Sequence, residues 1–302
     1  MSLLDVVHHD GYTIDLPPAH PFPMRKFAEL RVQLDGGPFR FHEAPVATRA
    51  QLETVHDPVY LDALAAGTLD VRAQRRSGFK WQPDLFSRCA LETGGTCRTV
   101  ELALERGIAC NAAGGTHHAH NDFAAGYCLL NDLAVAVHHA WRLGAARVLL
   151  LDCDVHQGDG SARLLAGRLG ACTVSFHCGE NFPARKAASD CDIVLPRGCD
   201  DATYLAALHE HLPALLDYYA PDLVVYDAGV DVHAGDRLGH MALSDDGLLA
   251  RDRFVVATVR GRDIPLAGVI GGGYDQDIVR LAARHAMLFT ACSEALCDTR
   301  CA

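Results

Sequence analysis

Residues 152–159 of this 302-residue chain read D-C-D-V-H-Q-G-D, four acidic or imidazole groups in eight positions, directly after the apolar run 148–151. If that run continues as a strand, Asp152, Asp154 and His156 project from one face and converge at its end. In an open parallel sheet the carboxyl ends of the strands are where ligands bind. Carboxylates at the end of a buried strand are costly unless paired, hydrogen-bonded or bound to a metal, so the spacing points to a metal centre. The plainer alternative is an acidic turn that caps a helix starting at Asp159, Gly160 and Ser161.

Three other stretches carry compatible groups. The apolar run 108–111 leads into G-G-T-H-H-A-H, where His117 and His118 are adjacent on a glycine-rich loop. Adjacent histidines suit an acid/base pair better than one metal, especially if each donates to a carboxylate that fixes its tautomer. Residues 223–226 form a β-branched run entering D-A-G-V-D-V-H-A-G-D, which offers Asp227, Asp231, His233 and Asp236. Residues 265–270 lead into Gly271, Gly272, Gly273 and Tyr274, where backbone can approach closely and a phenol can donate to a developing oxyanion.

Taken together, the four strand ends resemble the zinc-dependent histone deacetylase superfamily, which has the arginase/deacetylase-like fold. The resemblance runs from His20-Pro21 to about Tyr274, and the opening H-P-F-P-M-R-K-F is most similar to the class IV branch and its bacterial relatives. It implies an α/β, three-layer fold with a central, mainly parallel sheet flanked by helices. It also implies that Asp154, His156 and Asp231 hold zinc, with positions left for water and substrate as a catalytic zinc requires. By the same resemblance His118, backed by Asp159, is general base and then acid, His117, paired to Asp152, stabilises charge, and Tyr274 donates to the oxyanion. Gly126, Tyr127, Phe182 and Gly272 would line the substrate tunnel. A structural monovalent cation, K+, would sit near Asp152 with Ser175 and backbone of Asp154, His156 and Phe176.

The implied activity is removal of acetyl or longer acyl groups from lysine side chains. The alternatives are a deacetylase of small acylated amines such as acetylpolyamines, and a non-catalytic module that binds acyl-lysine. An acidic gatekeeper would favour polyamines, with Glu180 the candidate by position. A ureohydrolase with two manganese ions shares the fold, but Asp-x-Asp-x-His with Gly-Gly-Gly-Tyr suits a single zinc better. Imidazole and carboxylate ligands also accept iron. Gln157 stands where many members carry a second histidine, and Tyr127 replaces the usual tunnel phenylalanine. His120 has no metal role in the family pattern, and His233 is a candidate rim residue.

Helical patterns at 85–106, 133–143, 204–218, 248–259 and 277–296 alternate with these strands, as a parallel sheet requires. Gly94-Gly95 inside the first predicts close packing against a neighbour. Residues 67–83 read as a loop overhanging a site, and the tail 292–302 reads as a fraying end. No linker divides the chain, so 1–302 reads as one catalytic domain.

The net charge of −11 argues against a nucleic-acid surface. No apolar stretch approaches the roughly 20 residues of a membrane span, and the start lacks a secretory pattern, which fits a cytoplasmic enzyme. The 12 cysteines contain no Cys-x-x-Cys pair and read as reduced, small hydrophobes, with Cys153 and Cys178 nearest the candidate site.

Overall fold

In the computed structural model, which describes residues 3–298, the strands are β1 (Leu4–His8), β2 (Phe39–Glu43), β3 (Ile108–Asn111), β4 (Val148–Asp152), β5 (Ala171–Cys178), β6 (Cys191–Leu195), β7 (Leu223–Asp227) and β8 (Leu266–Val269). β3, β4, β7 and β8 are buried at every position. Their unbroken apolar character, without alternation, is what a strand covered on both faces requires. β2 and β6 carry exposed positions among partly or fully buried ones, and both lie at the sheet's edges.

The strand order is β2-β1-β3-β8-β7-β4-β5-β6, and every ladder is parallel. The four strands whose ends carry the chemical motifs are therefore contiguous at the centre. Register sets Asp152 beside Asp227 and Asn111 beside Val269, so the loops after all four strands leave from one edge.

The helices are α1 (Lys26–Gln33), α2 (Arg49–Leu52), α3 (Pro58–Ala66), α4 (Val71–Ser77), α5 (Pro83–Arg106), α6 (Asp132–Arg142), α7 (Asp159–Leu165), α8 (Asp201–Tyr219), α9 (Asp245–Arg260) and α10 (Ile278–Asp298). α5 packs on α6, while α8, α9, α10 and α1 pack in succession, giving helical layers around the sheet. This is the three-layer α/β fold the sequence implied. Close packing at the paired glycines follows as expected: a Cβ on Gly94 would strike the Pro45 carbonyl, and one on Gly95 the Tyr12 hydroxyl.

Two local expectations change. Within the segment read as a loop, residues 71–77 form α4, because Asp70 caps the Ala73 N–H and Gly78 closes the other end in the left-handed conformation (φ 84°). The tail does not fray from Cys292: α10 continues to Asp298, with Cys292 fully buried; residues 299–302 lie outside the described ones. Among the described residues no helix is long and apolar enough to cross a membrane.

Candidate metal centre and its paired histidines

β4 stops at Asp152, one residue into the acidic motif. The Asp154 N–H donates to Asp152 Oδ1 (3.1 Å) and the His156 N–H to Asp154 Oδ1 (2.9 Å). Such side-chain to backbone bonds compete with the ladder and turn the chain. Asp152, Asp154 and His156 consequently do not share one extended face, as strand continuation would have required. Asp152 meets His117, whereas Asp154 and His156 meet Asp231 from the loop after β7.

The latter three groups are buried, at 1%, 7% and 0% exposure, and their ligand-capable atoms all lie within 4.8 Å of one another. His156 Nδ1 is 2.9 Å from Asp154 Oδ1 and 3.1 Å from Asp231 Oδ2. The other oxygens are already held: Asp154 Oδ2 accepts the Gly272 N–H (2.9 Å) and Asp231 Oδ1 the Val155 N–H (2.9 Å). A Cβ at Gly229 or Gly272 would run into Asp154, so glycine is needed at both for the backbone to close around the carboxylate.

Charge is crowded here. Burial, then the Asp154 charge, pushes Asp231 up to about 7. Burial opposes ionisation of Asp154, but the charge of His117 and the bonds from His156 hold it well below the usual range. Burial also opposes the charged form of His156, yet hydrogen bonds to Asp154 and Asp231 raise it to about 10. Among the protein's own groups, protons supply the positive charge that two adjoining carboxylates demand.

The histidine loop leaves β3 through Gly114 and Gly115, both at positive φ, and is gathered by Asp132 at the start of α6. Asp132 accepts from the Gly115 and Thr116 N–H groups (3.2 and 2.8 Å) and from Thr96 Oγ1 (2.6 Å). His117 and His118 thereby face different carboxylates: Nδ1 of His117 lies 2.9 Å from Asp152 Oδ2, and Nδ1 of His118 lies 2.8 Å from Asp159 Oδ1. Burial works against a charged His117, but Asp152 and Asp154 outweigh it and raise its pKa well above the ordinary value. Burial, reinforced by the His117 charge, lowers His118 to about 3. Asp159 is the first residue of α7, but the helix is preceded by Gly158 and has no side-chain cap; the Asp159 carboxylate goes to His118 instead, so the acidic-cap alternative does not hold.

Tyr274 follows the glycine run after β8. Its N–H donates to Asp236 Oδ2 (2.6 Å), while the Gly271 carbonyl accepts from the buried Lys26 Nζ (2.9 Å). Burial and then the Asp154 and Asp231 charges keep its phenol protonated far above pH 10. A cavity of about 260 Å³ is lined by His118, Gly126, Tyr127, His156, Asn181, Phe182, Leu238, His240 and Tyr274. Tyr127 holds φ 64°, a left-handed conformation rare for a side chain of its size, with its N–H on the Ser77 carbonyl (3.0 Å). The Phe182 ring stands edge-on to His118 at 4.8 Å. Gly272 lies elsewhere, on a second cavity of about 30 Å³ that also touches Lys26, Arg88, Glu92, Gly126, Tyr127 and Tyr274.

Other sequence candidates fall outside the cavity. Glu180 is exposed and lies 3.8 Å from Arg197. His233 accepts the Gly235 N–H (2.8 Å) and approaches Asp245 (3.2 Å), a turn-holding role. Ser175 is the cross-strand partner of Asp152, with its hydroxyl 3.1 Å from His177 Nδ1. Burial pushes the Cys153 thiol up to about 12, an unreactive state.

Sequence reasoning did not find Arg251, which is fully buried in α9 and donates to the carbonyls of Cys153 (3.3 Å), Ala228 (3.1 Å) and Gly229 (2.6 Å). It pins the two loops that carry Asp154 and Asp231. Asp227 was named only as one of several acids. It is fully buried with both oxygens lacking a hydrogen-bond partner, and burial, then Asp152, raises its pKa well above the usual range. With His117 and Asp152 it forms a second group of ligand-capable atoms.

Residues 20–289 match the histone deacetylase domain. The chain is 46% identical over 291 residues to an uncharacterized protein of Picosynechococcus sp., covering 95% of this chain and 97% of that one. It is 29% identical over 300 residues to Histone deacetylase 2 of Arabidopsis thaliana, covering 94% and 78%. Two solved structures superpose with a TM-score of 0.80: the HDA15 HD domain (21% identity, 97% and 90% covered) and acetylpolyamine aminohydrolase from Burkholderia pseudomallei (20% identity, 97% and 99% covered). At such identities these two speak for the fold.

Proposed function

This chain belongs to the histone deacetylase family, and we propose from that premise that it is a zinc-dependent hydrolase that removes acetyl groups from lysine side chains. The observation that carries the reading is the pair of buried histidines, His117 on Asp152 and His118 on Asp159, set beside the convergent Asp154–His156–Asp231 group.

The donor set fits zinc: one imidazole and two carboxylates, buried, convergent and short of cationic charge, as the raised Asp231 and His156 attest. When bound there, zinc would polarise the acyl carbonyl and acidify the attacking water. The remaining work falls to the chain. His118, with Nδ1 engaged by Asp159, has Nε2 free to take the water's proton as oxygen attacks the acyl carbon, and to return it to the leaving amine as the C–N bond breaks. Protonated His117 stabilises the negative charge of that step, and the Tyr274 hydroxyl donates to the oxyanion. Tyr127 and Phe182 provide aromatic walls for an aliphatic lysine stem. A monovalent cation beside Asp152 and Ser175 belongs to the same reading, since the two are cross-strand partners.

Two features refine the substrate. No carboxylate lines the 260 Å³ cavity, and Glu180 is drawn to Arg197, so nothing there compensates the extra charges of a polyamine. The adjoining cavity, which shares Gly126, Tyr127 and Tyr274 with that one, is only about 30 Å³ and offers no room for a long acyl chain. The test is hydrolysis of acetyl-lysine peptide, long-chain acyl-lysine peptide and acetylated polyamine, with and without chelator. Chelator-sensitive turnover led by the acetyl-lysine peptide is expected. Polyamine preference would replace the substrate, silence on all three would favour a binding module, and two metals per chain, using His117, Asp152 and Asp227, would favour a binuclear hydrolase.

A further inference from the structure

Asp159 carries more than the one histidine of its dyad. Oδ1 accepts from His118 Nδ1 at 2.8 Å, while Oδ2 meets His120 Nε2 at 3.2 Å and Arg163 Nη1 at 2.8 Å. The two groups on Oδ2 differ in firmness. The Arg163 side chain is 47% exposed and can leave for water, so it restrains the buried Asp159 carboxylate less. The His120 side chain is 6% exposed and has nowhere to go. Its ring stacks on Phe123 at 4.0 Å and 24°, and the Arg76 guanidinium lies 4.1 Å from the Phe123 ring. Its backbone is fixed at both ends, N–H to the Phe123 carbonyl (2.9 Å) and carbonyl to His56 Nδ1 (2.9 Å).

A carboxylate anchored through one oxygen can still turn about its Cβ–Cγ bond, and turning would swing Oδ1 off His118. An N–H held rigidly against the second oxygen removes that freedom. We infer that His120 is a positioning residue: its Nε2–H fixes the Asp159 carboxylate so that Oδ1 stays on His118 Nδ1 and His118 Nε2 remains the bare acceptor toward the cavity. His120 transfers no proton itself. The inference rests on the proposed hydrolase for its kinetic consequence, but the hydrogen bond it predicts exists whether or not the chain turns substrate over.

The experiment uses the full zinc-loaded chain and three variants: His120→Phe, which keeps the stacking ring and deletes the donor, His120→Gln, which restores an N–H, and Arg163→Ala. Each is assayed for kcat and KM on acetyl-lysine peptide. By proton NMR each is also examined for the His118 Nδ1–H resonance, assigned by its loss in His118→Ala. His120→Phe is expected to lose about 10- to 100-fold in kcat at little-changed KM, the usual cost of removing a group that orients a functional side chain. It should also broaden or shift the Nδ1–H resonance. His120→Gln should recover most of both, and Arg163→Ala should stay within about threefold of wild type, as a half-exposed partner that readily turns to water implies. Wild-type kcat in His120→Phe, an equal loss in His120→Gln, or an unmoved resonance in His120→Phe would each overturn the inference. If wild type hydrolyses nothing, the resonance alone decides His120, and only the hydrolase reading falls.

Discussion

The rings of His117 and His118 lie 4.1 Å apart, yet each turns its Nδ1 to a different carboxylate, Asp152 for the first and Asp159 for the second. Asp152, and Asp154 at 3.9 Å, surround His117 with negative charge that outweighs its burial and raises its pKa. His118 is buried beside that cation and stays neutral. Two identical residues at consecutive positions thus take opposite charge states, the division that an acid/base step beside a developing anion requires.

Removing either end of this machinery should silence turnover without removing the metal. His118→Ala should lower kcat by roughly 100- to 10,000-fold, and Tyr274→Phe by roughly 100- to 1,000-fold, as loss of a general base or an oxyanion donor does. Zinc content by mass spectrometry should remain that of wild type in both. Near-normal kcat in either variant would remove that residue from its assigned role.

Zinc binding should release protons. Asp231, at about 7, and His156, at about 10, hold protons when only the protein's own groups neutralise the site, and a ligand must shed its proton to bind metal. Titrating metal-stripped protein with zinc at pH 7 in buffers of different ionisation enthalpy should reveal release of about one proton or more per zinc. Affinity should weaken as pH falls. A binding enthalpy independent of buffer would contradict this charge assignment, and Asp231→Asn should abolish tight binding.

Much of this arrangement was legible in the sequence because β3, β4, β7 and β8 are apolar runs that lead into acidic, histidine-bearing or glycine-rich segments. The turn after Asp152 was not legible. Alternation of Asp154 and His156 satisfies strand geometry equally well, and only the competing bonds to the Asp152 and Asp154 side chains end the strand there. α4 was hidden by its arginines, whose apolar periodicity is weak, although Asp70 and Gly78 were available as cap signals. Arg251 was beyond reach, since an arginine inside a helical pattern normally faces water. Its burial depends on three carbonyls supplied by distant loops.

Arg251 supports a further prediction. Its guanidinium also pairs with Asp252 (2.9 Å), whose Oδ1 accepts the Tyr226 hydroxyl (2.6 Å). Arg251→Met would leave that carboxylate buried beside three orphaned carbonyls, and breaking a buried pair costs about 3–5 kcal/mol. Urea denaturation should register a loss of that size, with zinc affinity falling as the Cys153 and Gly229 loops loosen. A change below about 1 kcal/mol would show that the carbonyls are satisfied without the guanidinium.

His56 contributes to the loss of stability in acid. Its Nδ1–H donates to the His120 carbonyl (2.9 Å), and its Nε2 accepts the Asn131 N–H (2.9 Å). Protonating Nε2 would oppose two N–H groups in a buried site, and burial lowers the pKa from 6.5 to about 4. A histidine whose folded pKa is depressed contributes stability above its unfolded value. Between pH 6.5 and 4 the unfolded chain takes up a proton that the folded chain refuses, so stability declines as pH falls through that window. At 1.36 kcal/mol per unit, the loss from this residue is about 3 kcal/mol. Chemical denaturation at successive pH values should give a slope approaching 1.4 kcal/mol per unit from this group, added to any other contributions. A His56→Gln variant, which keeps an N–H donor and an acceptor but cannot titrate, should lose that component of the slope. An identical slope in the variant would assign the acid sensitivity to other groups.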